Sequence, residues 1–92
     1  MLKAMLLSYD ETQIEREELT SLVDSCADIV NWMTVLTSSF ILISEKTPQE
    51  ISQFLVQTRD KPFRHILVPI TARAGWLPKT AWEFVKKPKA VE

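Results

Sequence analysis

Phe40-Ile41-Leu42-Ile43-Ser44, Thr47-Pro48-Gln49-Glu50 and His65-Ile66-Leu67-Val68-Pro69-Ile70 follow one another in the second half of the chain, and their reading decides its fold. The first is an apolar run too short for a helix and the right length for a buried strand. The second is a helix start. Thr47 offers a capping hydroxyl, Pro48 suits the first helical position, where its missing N–H costs nothing, and Glu50 can reach back to the cap. Ile51, Phe54 and Leu55 then supply a buried stripe, and Asp60-Lys61-Pro62 closes the helix. The third segment is a strand again. Pro69 removes a ladder donor, so this strand belongs at a sheet edge or holds a bulge.

Working outward, residues 3–9 form another short apolar run, closed by Asp10. Thr12 with Glu15 three residues on makes a capping box, which predicts a helix starting there. Ile14, Leu19, Leu22, Val23 and Cys26 recur at helical spacing behind it. Ile29–Leu36 is a strand, and Thr37-Ser38 separates it from the run at Phe40, which suggests a hairpin. No glycine stands at that turn, so a longer or type I connection is expected over a tight turn needing positive φ. After the fourth strand come the single glycine, Gly75, and then Pro78, which can open a last short helix through Val85. The polar tail, residues 86–92, is expected to fray.

The order is strand, helix, strand, strand, helix, strand and a terminal helix. That is the α+β, ferredoxin-like βαββαβ arrangement with a short C-terminal helix, in a single domain over residues 1–92. Right-handed crossovers put the first and third strands in the middle of the sheet and the second and fourth at its edges. The strands at residues 4–7, 40–43 and 66–68 do not alternate apolar with polar, so both faces of the sheet must be covered. Trp76, Trp82 and Val85 are expected to cover part of the second face, and a second copy of the chain the rest, giving a homodimer.

Composition excludes several classes. The chain has 92 residues, 46% hydrophobic and 25% charged, with a net charge of −1, which excludes disorder. No apolar run approaches a membrane span. Cys26 is the only cysteine, so there is no disulfide scaffold. Nothing at the N-terminus reads as a secretion signal, and the expected setting is cytoplasmic. No Gly-rich phosphate loop and no zinc spacing occur. The near-neutral total hides a bipolar chain. Residues 1–58 carry nine acids against Lys3, Arg16 and Lys46, whereas residues 59–91 carry eight bases against Asp60 and Glu83. Such a basic half is either a polyanion footprint or one side of an electrostatic match to a second copy.

Ser8-Tyr9-Asp10 at the end of the first strand, Ser38-Ser39 ahead of Phe40, and Ala74-Gly75-Trp76-Leu77-Pro78 with Trp82 together resemble a loose family of small ferredoxin-like proteins. That family includes CRISPR-associated protein 2 and virulence-associated protein D, and the likeness is nearest to its stand-alone, SinR-like members. CRISPR-associated members usually carry arginines around strands two and three, whereas this chain has none between Arg16 and Arg59. The resemblance implies a dimer acting on or with nucleic acid. In some members the protein is a Mg²⁺-dependent endonuclease or endoribonuclease using an acid at the end of strand one from each subunit. In others it is a non-catalytic scaffold or regulator of a protein partner, in toxin-antitoxin or mobile-element settings. By position Asp10 would be the catalytic and metal-binding acid.

From the residues alone, Asp10 reads either as a cap for the following helix or as a Mg²⁺ ligand shared between two copies. Beyond that possible metal ion the chain reads as cofactor-free. Arg64, Arg73, Lys79, Lys86 and Lys87 are the candidate phosphate contacts. Trp32, Trp76 and Trp82 read first as packing anchors, with base stacking as the alternative. Cys26 reads as a small core residue, His65 as a half-buried side chain, and Ser38 and Ser39 as turn residues. No pairing of a nucleophile with a base can be assembled from sequence.

Overall fold

The computed structural model describes residues 1–90, apart from the Val35 side chain. Along the chain run β1 (Lys3–Tyr9), α1 (Arg16–Ser25), β2 (Ile29–Leu36), β3 (Ser39–Ser44), α2 (Pro48–Arg59), β4 (His65–Pro69) and α3 (Lys79–Lys86). The strands form one antiparallel sheet in the order β2-β3-β1-β4. This is the ferredoxin-like βαββαβ fold with its C-terminal helix, and β1 and β3 are central as the crossover rule requires. Pro69 lies on the edge strand. Ile70 N–H donates to the Ala4 carbonyl at 3.0 Å. By strand alternation the nitrogen of Pro69 faces the free edge, where no ladder bond is lost.

The start of α2 forms as its sequence requires. Thr47 Oγ1 accepts from Glu50 N–H at 3.2 Å, and Glu50 Oε1 accepts from Thr47 N–H at 3.2 Å. Asp60 closes the helix in the left-handed conformation, φ 60°. Thr47→Ala should lower stability by about 1 kcal/mol, measured by urea unfolding.

The start of α1 differs from expectation. The helix begins at Arg16, three residues after the site that Thr12 predicts, and Glu15 occupies the cap without a side-chain bond. The competing local structure is a turn at Asp10. Its carboxylate accepts from both Thr12 N–H, at 2.9 Å, and Thr12 Oγ1, at 2.6 Å, while Gln13 N–H donates to the Asp10 carbonyl. With its hydroxyl committed to Asp10, Thr12 has none to offer a helix. Ile14 is buried all the same, from the turn and not from the helix.

The β2–β3 connection is a two-residue turn, Thr37-Ser38, since Leu36 pairs with Ser39. It needs no positive φ, as the missing glycine leads one to expect. Among the described residues only Asp60 and Gly75 have positive φ, so it is not one of the primed turns that suit a hairpin's twist. A register shift between Met33 and Leu36 accompanies it. Ser39 is the first, buried residue of β3 and no part of the turn.

Alternation sorts the sheet into two faces. Met5, Leu7, Phe40 and Leu42 meet Leu19 and Val23 of α1 and Ile51 and Leu55 of α2. Ala4, Ile41 and Ile43 on the other face meet Val85 of α3. Helix α3 crosses from β4 to β2, where Asn31 Nδ2 donates to the Lys89 carbonyl at 3.1 Å. The tail is therefore tied to the sheet edge at Lys89, and Val91 and Glu92 lie outside the described residues. The apolar strands do have material on both faces, as expected, but α3 covers only one end of the second. At the other end Leu36, Ile66 and Val68 stay 54%, 60% and 38% exposed. Trp76 does not cover the sheet at all; it is 98% exposed. Among the described residues no helix is long and apolar enough to cross a membrane.

Candidate functional site

Asp10 ends β1, and its N–H donates to the Arg64 carbonyl at 2.9 Å. The Thr12 hydroxyl, then the Thr12 amide, hold the Asp10 carboxyl below the ordinary carboxylate value, and the charge of Arg64 helps. The Glu50 carboxyl is lowered likewise by the Thr47 amide and hydroxyl. A carboxyl lowered on folding contributes stability above its unfolded value and loses it as pH falls through the folded value. Stability should therefore decline below about pH 4, and Asp10→Asn combined with Glu50→Gln should flatten that decline in acid-titrated thermal melts.

One chain offers Mg²⁺ few protein donors at Asp10. One Asp10 oxygen is taken by Thr12, and among the described residues no three His, Cys, Asp or Glu side chains gather closely enough to hold a metal ion. Magnesium takes one or two carboxylates with water and phosphate oxygens, so Asp10 could hold it alone or with its counterpart from a second copy.

The fold gathers some of the five basic candidates and separates one. Arg73 and Lys86 line a shallow depression with Thr71, Gly75 and Trp82. Lys79 lies seven residues before Lys86, so the two share a side of α3 about two turns apart. Lys87 borders a separate depression with Lys89 and Phe84 on another flank of α3. Arg64 is at the other end of β4, about 17 Å away along the strand, beside Asp10. Residues 71–90 thus carry five bases against Glu83 alone, on the α3 side of the sheet. Residues 10–28 carry seven acids against Arg16, around α1 on the opposite side. The bipolarity along the chain becomes bipolarity across the sheet.

The three tryptophans part company. Trp32 packs in the core with its ring 5.6 Å from that of Phe40. Trp82 is half-buried and borders an apolar groove with Leu6, Leu36, Val68 and Leu77. Trp76 lies open to solvent, directly after Gly75, whose φ of 150° is one that L side chains rarely adopt.

One arrangement escaped sequence reasoning. Ser52 of α2 and His65 of β4 are 2.7 Å apart, Oγ to Nε2. His65 Nδ1 is 2.8 Å from the Phe63 carbonyl, which can only accept, so Nδ1 carries the proton and Nε2 accepts from the Ser52 hydroxyl. The order of groups is that of a nucleophile, a base and an orienting acceptor. Neither residue lines the basic depression or the apolar groove. The pair acts as a tie between α2 and the edge strand, and Ser52→Ala should cost about 1 kcal/mol. Thirteen residues and a change of element separate the two, so no sequence spacing signals them.

Tyr9 is buried beside Phe40, ring centroids 5.9 Å apart, and its hydroxyl has no hydrogen-bond partner among the described residues. Burial first, then the charge of Glu11, pushes its pKa up. Tyr9→Phe should be neutral or stabilise by up to about 1 kcal/mol.

In comparisons with known proteins, no family model, no curated protein and no solved structure matches this chain.

Proposed function

We propose that this chain is a cytoplasmic nucleic-acid-associated protein that presents its α3 side to the phosphate backbone. The observation that carries the reading is the segregation of charge across the sheet. Arg73 before α3, Lys79 and Lys86 on it and Lys87 and Lys89 just after it are exposed, and α1 with its acids packs on the opposite face of the sheet. A polyanion then meets attraction on one side and repulsion on the other, which orients its approach. The alternative, an electrostatic match between two copies, would have to set the α1 side of one against the α3 side of the next. Such head-to-tail contacts propagate into filaments unless a ring closes. The resemblance to the family around CRISPR-associated protein 2 points the same way. The test is a salt titration: affinity for a short duplex and a single strand should fall with a slope of about −0.7 to −0.9 per phosphate neutralised. Absence of binding to either near 50 mM salt would remove the reading.

Leu36, Ile66 and Val68 favour a second copy over the uncovered end of the sheet, forming a homodimer. Light scattering should then give a mass above the 10.6 kDa of one chain. A nuclease reading rests on Asp10, whose carboxylate is held ionised next to that end of the sheet. In the dimer the Asp10 carboxylates of two copies could share the ion. Mg²⁺-dependent cleavage by the parent, lost in Asp10→Ala, would establish it. A dimer that binds but does not cleave would leave the non-catalytic scaffold or regulator of a protein partner.

A further inference from the structure

We infer that Trp76 is a base-stacking platform and that the α3 side takes a single strand of nucleic acid in preference to a duplex. The inference rests on the polyanion reading above and names its substrate class. Trp76 is 98% exposed, so it contributes next to nothing to the core. Gly75 before it has φ 150°, a conformation that a side chain there would strain, and the chain turns the indole outward at that point. The candidate phosphate-binding groups are close to it in the chain. Arg73 and Lys86 border the depression that Gly75 also lines, and Lys79 opens α3 three residues after Trp76. Arg73 is itself steadied by a bond from Nη1 to the Thr71 carbonyl, 3.3 Å.

An exposed π-face three residues from Arg73 on one side and from Lys79 on the other is the combination that binds single strands. The cations follow the backbone, and the ring takes a base of any identity. In a duplex the bases are already stacked and present their edges, so an exposed indole beside the backbone gains nothing. Charge argues against a second copy at this depression. A two-fold contact centred on Arg73 and Lys86 would bring these bases against their own counterparts, whereas the homodimer proposed above is centred on Leu36, Ile66 and Val68.

The test compares the parent with Trp76→Ala and Trp76→Phe on three probes of equal length: oligothymidylate, an abasic strand and a duplex. Since Trp76 is exposed, both variants should keep the parent's circular dichroism and melting temperature. The parent should prefer oligothymidylate over the abasic strand. Trp76→Ala should lose about five- to a hundredfold in affinity for oligothymidylate, with the other two probes unchanged. Trp76→Phe should restore most of the loss. Equal binding of all three probes, unaffected by Trp76→Ala, would overturn the stacking inference and leave the polyanion reading standing. Failure of the parent to bind any probe near 50 mM salt would overturn both. An oligomer that dissociates in Trp76→Ala, with oligothymidylate affinity unchanged, would overturn the inference and assign Trp76 to self-association.

Discussion

Replacing Arg73, Lys79, Lys86 and Lys87 together by alanine should weaken nucleic-acid binding by about a hundred- to a thousandfold near 0.15 M salt. The magnitude follows from counterion release. Four neutralised phosphates contribute a slope of about −3 in log affinity against log salt, and that slope should disappear with the four cations. The loss should be uniform over sequences, because contacts to phosphate carry no base information. Arg64→Ala should change little, since Arg64 sits beside Asp10 at the far end of β4. The fold should survive, because all four residues are exposed. If the four changes leave the slope intact, the phosphates are met elsewhere on the surface. If the parent forms oligomers that the four changes dissociate, the charges serve a contact between copies instead.

Phe40→Ala should give the largest loss of stability, about 3–5 kcal/mol. Phe40 is fully buried near the start of β3, between the rings of Tyr9 and Trp32. It lies opposite Leu7 on the central pair of strands. The residues around it come from both central strands and an edge strand, so the cavity cannot collapse by moving one helix. A domain of this size has a total stability toward the low end of about 5–15 kcal/mol. The melting temperature should drop by roughly 15–30 °C, at about 4–8 °C per kcal/mol. Phe40→Leu, which keeps most of the volume, should cost far less. A drop of only a few degrees in Phe40→Ala would mean that the packing between the sheet and its two covering helices is looser than this geometry implies.

Local chemistry in the sequence determined the order and type of the elements. Thr47, Pro48 and Glu50 specify the start of α2 whatever surrounds them, because the bonds involved span three residues. Pro69 marks its strand as an edge for an equally local reason, the missing N–H. Strand order then follows from chirality. Where two local solutions competed, the tertiary structure chose. Thr12 could cap a helix or bond Asp10, and the backbone bond from Asp10 to Arg64, just before β4, holds the turn in place. The pairing of Ser52 with His65, the fates of the three tryptophans, and the placing of Arg64 apart from Arg73 and Lys86 arise only when distant segments pack. The charges illustrate the division best. Their segregation along the chain is visible in the sequence. Their segregation across the sheet is not, because it depends on which face α3 covers, and that is decided by where Ala81 and Val85 find apolar surface left open by α1 and α2.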